Sequence, residues 1–482
     1  MKKDILIHLL IIILGAIFVS LSIFHENLWF DEAYSVAMAN QEFLDIWSIG
    51  SNDVHPVLYY WMLRIINILS NGSIIVYRMF SVLPIILLGI LGITHIKKDF
   101  ENKTGIIFSF LSFFIPVMIV YANQIRMYSW AAYIVTIFFI YSNRVYQENN
   151  IKNWIIFALS SLVSIYIHYY GLISVLVTNI FLILYFIKNK KYKELRIQIG
   201  IGIILISLFF SWAIKLVMQI KHVSKGFWIR YEFPETLLEL IGFQMSGVMS
   251  FKIGFCINIL LIAALGLIFL QERKLVDFKY IKNSIKIYLA IIFVAIMISI
   301  IFKTTILYYR YLFVSIGIYI FVISYMISKI NKKYIIVFCC LVLVLGIINN
   351  IKQIQINYSK ENEKPIEYVK KNIKKDDIIV YTDNQLGAIF ATNFKNNKQY
   401  FYILEWLDIE EAYEVWYPQM KIHDNIEFLN NCINRVWIID SIDYKCYDLL
   451  FKNNDFKYIS SQYFETKYFN YNYNIILVQR IY

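Results

Sequence analysis

Charge is scarce in this chain. Lysine, arginine, aspartate and glutamate make up 17% of its 482 residues, while 59% are hydrophobic. A soluble globular protein carries about 25% charged and about 45–50% apolar residues. A large lipid-embedded body explains both departures and overrides the roughly three domains that length alone suggests. Nucleotide-phosphate motifs are absent too. There is no GxxxxGK[ST] loop and no GxGxxG, so an ATP-driven pump and a dinucleotide enzyme lose their usual support. HExxH is missing, as is a DxD-type pair of the kind that holds a metal–diphosphate. Cysteines number five and show no CxxC or CxxC…HxxxH spacing, which removes the familiar zinc frameworks. Cys256, Cys339 and Cys340 lie in apolar runs and read as small hydrophobes. Cys432 and Cys446 lie in the polar tail, where a disulfide requires an extracytoplasmic location. Ionisable residues are rare inside the apolar runs, and Gly- or Pro-interrupted half-helices are scarce. Both argue against a transporter with a buried charge relay.

Long apolar runs are what the chain has instead. A membrane span needs about 20 predominantly apolar residues. Eleven runs qualify, near residues 5–24, 74–96, 104–121, 127–146, 152–167, 171–187, 197–217, 252–270, 286–302, 307–328 and 334–350. The first has a basic start but is too long for a signal-peptide core and lacks an AxA-like end, so it reads as a retained span. Two short runs meet at His168–Gly171, the pattern of a tight hairpin. Val57–Leu69 is apolar but short and reads as an amphipathic or re-entrant helix. The 38 Tyr and 37 Phe suit a protein with extensive membrane interfaces.

Net charge is +12, and its distribution carries the information. Lys2 and Lys3, Lys97, Lys98 and Lys103, Arg144, the Lys188–Arg196 cluster, Arg273 to Lys286, and Lys329, Lys332 and Lys333 occupy alternate loops. The positive-inside rule makes that side cytoplasmic. The opposite side opens with His25–Pro56, which has no Lys or Arg. No basic face survives outside the loops, so nucleic acid is an improbable partner. From about Lys352 the texture changes. Asp377–Tyr381, Gln399–Leu404, Arg435–Asp440 and Asn474–Gln479 read as strands; Ile366–Lys374, Gln385–Phe394 and Ser441–Phe451 read as helices. The expectation is a polytopic α-helical membrane protein of about 11 transmembrane helices (residues 1–351, with a large first outer loop at 25–72). A small extracytoplasmic α/β domain follows at 352–482.

Polar residues gather on the predicted outer face. Trp29-Phe30-Asp31-Glu32-Ala33-Tyr34-Ser35 sets two carboxylates among aromatic rings, and desolvation by such rings makes a carboxylate a better proton acceptor. A solvated loop pair is the plainer alternative. His55-Pro56-Val57-Leu58-Tyr59-Tyr60, Asn123-Gln124-Ile125-Arg126-Met127-Tyr128, His168-Tyr169-Tyr170-Gly171, Lys303 and Tyr308-Tyr309-Arg310-Tyr311 share that face. Singly these read as snorkelling arginines, a capping histidine and an aromatic belt. Jointly, arginines on an outer face imply an anion there, and a lipid phosphate fits because arginine binds phosphate bidentately.

At these residues the sequence resembles the GT-C superfamily of membrane glycosyltransferases. It is most similar to the family 39-like group of protein O-mannosyltransferases and lipid A aminoarabinose transferases. Asp31-Glu32, His55-Pro56-x-Leu58-Tyr59-Tyr60, Gln124-x-Arg126-x-Tyr128, His168-Tyr169-Tyr170-Gly171 and Arg310-Tyr311-Leu312 occur in the family's order over roughly residues 25–315. Val57 stands where the family more often has a second proline. The resemblance implies a glycosyltransferase, hexosyl or pentosyl, using a polyprenyl-phosphate-linked sugar donor and an acceptor protein, glycolipid or wall polymer. It also implies roles. Asp31 is the catalytic base, and Glu32 supports it or helps hold a metal. Arg126, Lys303 and Arg310 contact the donor phosphate. His55, Tyr59, Tyr60, Tyr128, His168 and Tyr169 line the cavity. A divalent metal ion is the sole cofactor candidate, with Glu32 and His168 as its ligand candidates. The location expected is a bacterial cell membrane, N-terminus inside. A transporter or flippase, or a non-catalytic binder of lipid-linked saccharides, is the competing class.

Overall fold

The computed structural model describes residues 2–223, 229, 231–271, 278–303, 305–394, 396–402, 414–416, 420–423, 426–429, 435–441 and 456–481. These residues form two compact units. The first comprises Met1–Ile23, Asp53–Tyr59 and Val76–Gln353; the second comprises Phe24–Asn52, Tyr60–Ile75 and Ile354–Tyr482.

The first unit is helical. In hydrocarbon each backbone N–H and C=O must be satisfied within its own segment, and apolar runs of this length do that as helices. Each of the eleven expected runs contains helix. Among the described residues, six helices are long and apolar enough to cross a membrane: Ile74–Asp99, Tyr169–Lys188, Tyr192–Lys221, Ile281–Ile301, Tyr309–Ser328 and Lys332–Asn372. The number rises to eight if two bent pairs each count as one span. Asn102–Phe114 and Pro116–Ala122 meet at 58°, and Glu235–Ser246 meets its successor at 78°. Pro116 explains the first bend, because it cannot donate to the preceding turn. Gly247, at φ 56°, turns the second, a conformation that glycine adopts at little cost. Asp4–Ser20 and Ile151–Ile167 are shorter apolar helices.

Burial separates centre from periphery. Most of Tyr309–Ser328 is enclosed (89%), whereas only 17% of Tyr192–Lys221 is. The latter exposes Ile203, Ile206 and Phe210, an apolar surface suited to lipid. Contacts also join the basic loops. Arg144 forms a bidentate pair with Asp99 at 2.9 Å for both bonds. Lys329 donates to Glu101 at 3.0 Å, and Lys191 donates to the Tyr146 carbonyl at 3.4 Å. The loops that the charge pattern assigned to one side therefore do lie together, at the C-terminal end of Tyr128–Gln147.

The second unit carries the tail. Its six-stranded sheet consists of β1 (Ile378–Tyr381), β2 (Lys398–Tyr402), β3 (Met420–His423), β4 (Arg435–Asp440), β5 (Phe456–Glu465) and β6 (Asn472–Arg480), in the order β3-β2-β1-β4-β6-β5. The first four are parallel; β6 runs antiparallel to β4 and to β5. Four strands were expected, and β3 and β5 were not. β5 is an edge strand whose side chains are mostly exposed. Its Ser, Gln and Lys break the apolar run that marks buried strands. The helices expected at 366–374 and 385–394 are Lys364–Asn372 and Asn384–Ala391; the one expected at 441–451, the strand end at 403–404, Cys432 and Cys446 lie outside the described residues. Ile378, Val380, Val436, Ile438, Ile476 and Val478 form the core of one face. Asp377 anchors the sheet: it is 4% exposed, pairs with Arg435 at 2.6 Å and 3.0 Å, and accepts from the Trp437 indole at 2.8 Å.

The short apolar stretch Val57–Leu69 forms the helix Leu58–Ser70. Thirteen residues span about 20 Å, less than the ~30 Å hydrocarbon core. Tyr59, Tyr60 and Leu63 are buried while Ile65, Ile68 and Leu69 are exposed, as an amphipathic helix requires.

Candidate active site

The carboxylate module belongs to the second unit. Trp29 precedes the helix Phe30–Ala39, which places Asp31 and Glu32 in its first turn, where the helix dipole favours negative charge. The two acids have different surroundings. Glu32 is fully buried. Its Oε2 accepts from the Tyr468 hydroxyl at 2.9 Å and from the Trp29 backbone N–H at 3.4 Å. The second of these is the reciprocal half of a capping box. Asp31 is half-buried. Around them Trp29 stacks on Phe469 at 4.2 Å, and Tyr34 packs edge-on against Tyr60 and Trp416. The Phe30 N–H donates to the Tyr471 hydroxyl at 3.1 Å. Burial and then the nearby Asp31, Asp383 and Glu32 charges hold that phenol protonated, well above its ordinary range. The residues 468–471 that support this loop carry no motif, so only folding could reveal them.

The cationic module belongs to the first unit. Arg126 sits in the irregular break between Pro116–Ala122 and Tyr128–Gln147 and is 4% exposed. His55 and His168 lie with their ring centroids 5.3 Å apart. Tyr128 and Tyr311 flank His168 at 5.6 Å and 5.4 Å. Arg310 lies over the Tyr308 ring at 5.5 Å. Burial, followed by Arg126, the neighbouring His168 ring and Arg310, holds the His55 imidazole well below its ordinary range. Burial and Arg126 lower His168 to about 3. Both rings are therefore neutral near pH 7. The Tyr170 N–H donates to His168 Nδ1 at 3.0 Å, which makes Nε2 the protonated nitrogen. That Nε2 is buried and has no hydrogen-bond partner among the described residues.

Local geometry explains why these residues meet. The hairpin expected at His168–Gly171 is present: Ile151–Ile167 ends and Tyr169–Lys188 begins on either side of His168. A Cβ at Gly171 would lie 2.2 Å from the Ser164 carbonyl oxygen, so only glycine permits this approach. The Tyr170 hydroxyl donates to the Ile306 carbonyl at 2.8 Å and ties the hairpin to the segment that carries Arg310. Arg78, within the run 74–96, was missed by the sequence reading. It is fully buried and donates to the Asn123 carbonyl at 2.6 Å, so it braces the Arg126 turn. A guanidinium inside an apolar run was the available signal.

The other expected site residues divide. Tyr169 lines a cavity of about 120 Å³ together with His55, His168, Tyr170 and Tyr311, and its hydroxyl bonds Gln219 and Trp212. Tyr59 is fully buried. Lys303 lies on an exposed turn. Among the described residues no group of three or more His, Cys, Asp or Glu side chains could hold a metal, so Glu32 and His168 belong to no such set.

The same architecture occurs in the crystal structure of ArnT from Cupriavidus metallidurans bound to undecaprenyl phosphate. That match has a TM-score of 0.59 at 10% identity and covers 98% of this chain and 97% of that one. The chain has an ArnT-like fold. The apo structure of ArnT matches at TM-score 0.50 and 11% identity, over 99% and 98% of the two chains. No protein-family model and no curated protein matches the sequence. Agreement over nearly the whole length at 10% identity means that the ArnT-like fold includes the tail sheet as well as the helices.

Proposed function

We propose that this protein is a membrane glycosyltransferase that moves a hexosyl or pentosyl group from a polyprenyl-phosphate-linked donor to an acceptor at the outer face of a bacterial cell membrane. The observation that carries the reading is the cationic module, in which His55 and His168 line an apolar cavity, Arg126 bears on both rings and Arg310 on His55. A buried guanidinium, Arg126, with a half-buried one, Arg310, suits a lipid phosphate. The ArnT structure that shares the fold was solved with undecaprenyl phosphate bound, which supports a polyprenyl partner here. In the reaction, Asp31 takes the proton of an acceptor hydroxyl or amine. The acceptor atom bonds to the anomeric carbon, and the bond from that carbon to the phosphate oxygen breaks. Arg126 and Arg310 stabilise the charge that develops on the leaving phosphate, with Lys303 as a further contact. The His168 Nε2–H offers a donor without a second charge. Glu32 supports the loop through Tyr468.

The topology proposed with this is eleven crossings, with the N-terminus inside. Residues 1–351 form the transferase body with its outer loop at 25–72, and residues 352–482 form an extracytoplasmic domain. The test is transfer of radiolabelled sugar from polyprenyl-phosphate donors in membranes, wild type against Asp31→Asn. Loss of a general base lowers the rate about 10²–10⁴-fold. Equal transfer by the variant at equal protein level removes Asp31 from the mechanism.

A further inference from the structure

Three helices converge around a second cavity, of about 260 Å³, far along the chain's helical body from the histidines. It lies where Tyr128–Gln147 and Tyr169–Lys188 end and Phe278–Ile301 begins, on the side where the basic loops gather. Ser142, Asn143, Tyr146, Tyr185, Lys188 and Lys286 form its polar part. Lys188 and Lys286 are exposed. Among the described residues neither makes an ion pair with a carboxylate, whereas the nearby Arg144 and Lys329 are both paired, with Asp99 and Glu101. Lys191 adds a third positive charge 5.3 Å above the Tyr185 ring. Tyr185 itself packs against Tyr146 with ring centroids 3.9 Å apart and the planes tilted by 34°.

The cavity has a second chemical character. Its wall continues into Phe181, Leu184 and Ile287. On the same helices Ile180, Leu184 and Leu289 are each more than half exposed. Cations and interfacial tyrosines at one end, with an open apolar flank at the other, match an amphiphile whose head is anionic. Basic pockets between transmembrane helices on the cytoplasmic side bind phosphate headgroups. A free phosphate would use only the polar half. We infer that this cavity binds an anionic phospholipid, with the phosphate held by Lys188 and Lys286 and the acyl chains along Ile180, Leu184 and Leu289. The site is separate from the donor chemistry and does not depend on it.

The test is lipid retention by the purified full-length protein after exchange into nanodiscs. The discs contain phosphatidylcholine with or without phosphatidylglycerol, and bound lipid is counted by native mass spectrometry. Phosphatidylglycerol should be retained preferentially. Lys188→Gln with Lys286→Gln should lower its retention about fivefold per lysine and roughly thirtyfold together. The double arginine variant should restore it, and inorganic phosphate at millimolar concentration should not compete. Equal retention of the two lipids, or unchanged retention in the glutamine variant, overturns the proposal. Competition by inorganic phosphate alone overturns its lipid part. Failure of the arginine variant to rescue a glutamine loss marks that loss as structural and also overturns it.

Discussion

The neutral imidazole of His168 makes the protein's stability depend on acid in a calculable way. The ring lies between the helices Ile151–Ile167 and Tyr169–Lys188, is 2% exposed, and is lowered by burial and Arg126 from its ordinary 6.5 to about 3. Because the folded value is depressed, folding favours the uncharged ring. Its stabilising contribution is complete above pH 6.5 and is lost as pH falls toward 3. The unfolded state binds the extra proton, so stability rises with pH through that window. The loss is on the order of 1 kcal/mol for each pH unit below 6.5, so about 1 kcal/mol at pH 5.5 and about 3 kcal/mol at pH 4.5. His55 shifts in the same direction and adds to the slope. The assay is reversible unfolding in mixed micelles at pH 7.5, 5.5 and 4.5, comparing wild type with His168→Gln. The variant should be less sensitive to acid by those amounts. Parallel pH curves for the two proteins would refute both the burial of a neutral ring and the Nε2–H assignment built on it.

Three further outcomes follow from the geometry. Arg310→Gln should reduce sugar transfer by about 10²–10³-fold, and Arg310→Lys should recover only part of that, because the planar fork is lost; initial rates across donor concentrations check this. Tyr468→Phe removes the hydroxyl that satisfies buried Glu32 and should cost about 1–3 kcal/mol, seen as a lowered thermal midpoint. Asp377→Ala leaves Arg435 and the Trp437 indole without their shared acceptor and should destabilise the tail sheet by about 3–5 kcal/mol, measured by chemical unfolding followed through tryptophan fluorescence.

Much of this protein was determined by the sequence alone, because some physical constraints are local. Twenty apolar residues in lipid must become helix to satisfy their own backbone, so each expected run contains helix. Loop charges sort by side, so the loops that carry Lys97, Arg144 and Lys329 could be expected on one side, and the structure adds the pairs Asp99–Arg144 and Glu101–Lys329 that join them. Gly171 marks a hairpin because no Cβ fits against the Ser164 carbonyl. Other decisions needed the chain to fold. Hydropathy counts residues but not direction, so it ran through the bend at Pro116 and gave no sign of the turn at Gly247. The exposed edge strand β5 lacks the apolar pattern that marks buried strands. Asp31 and Glu32 are adjacent and chemically alike in sequence; Tyr468, 436 residues beyond Glu32, makes one a buried support and leaves the other half open. Arg78 looked like an oddity in an apolar run until its bond to the Asn123 carbonyl showed it bracing the Arg126 turn. Long-range partners of this kind leave no trace in local composition, because their energy arises only when distant segments share a dry interior.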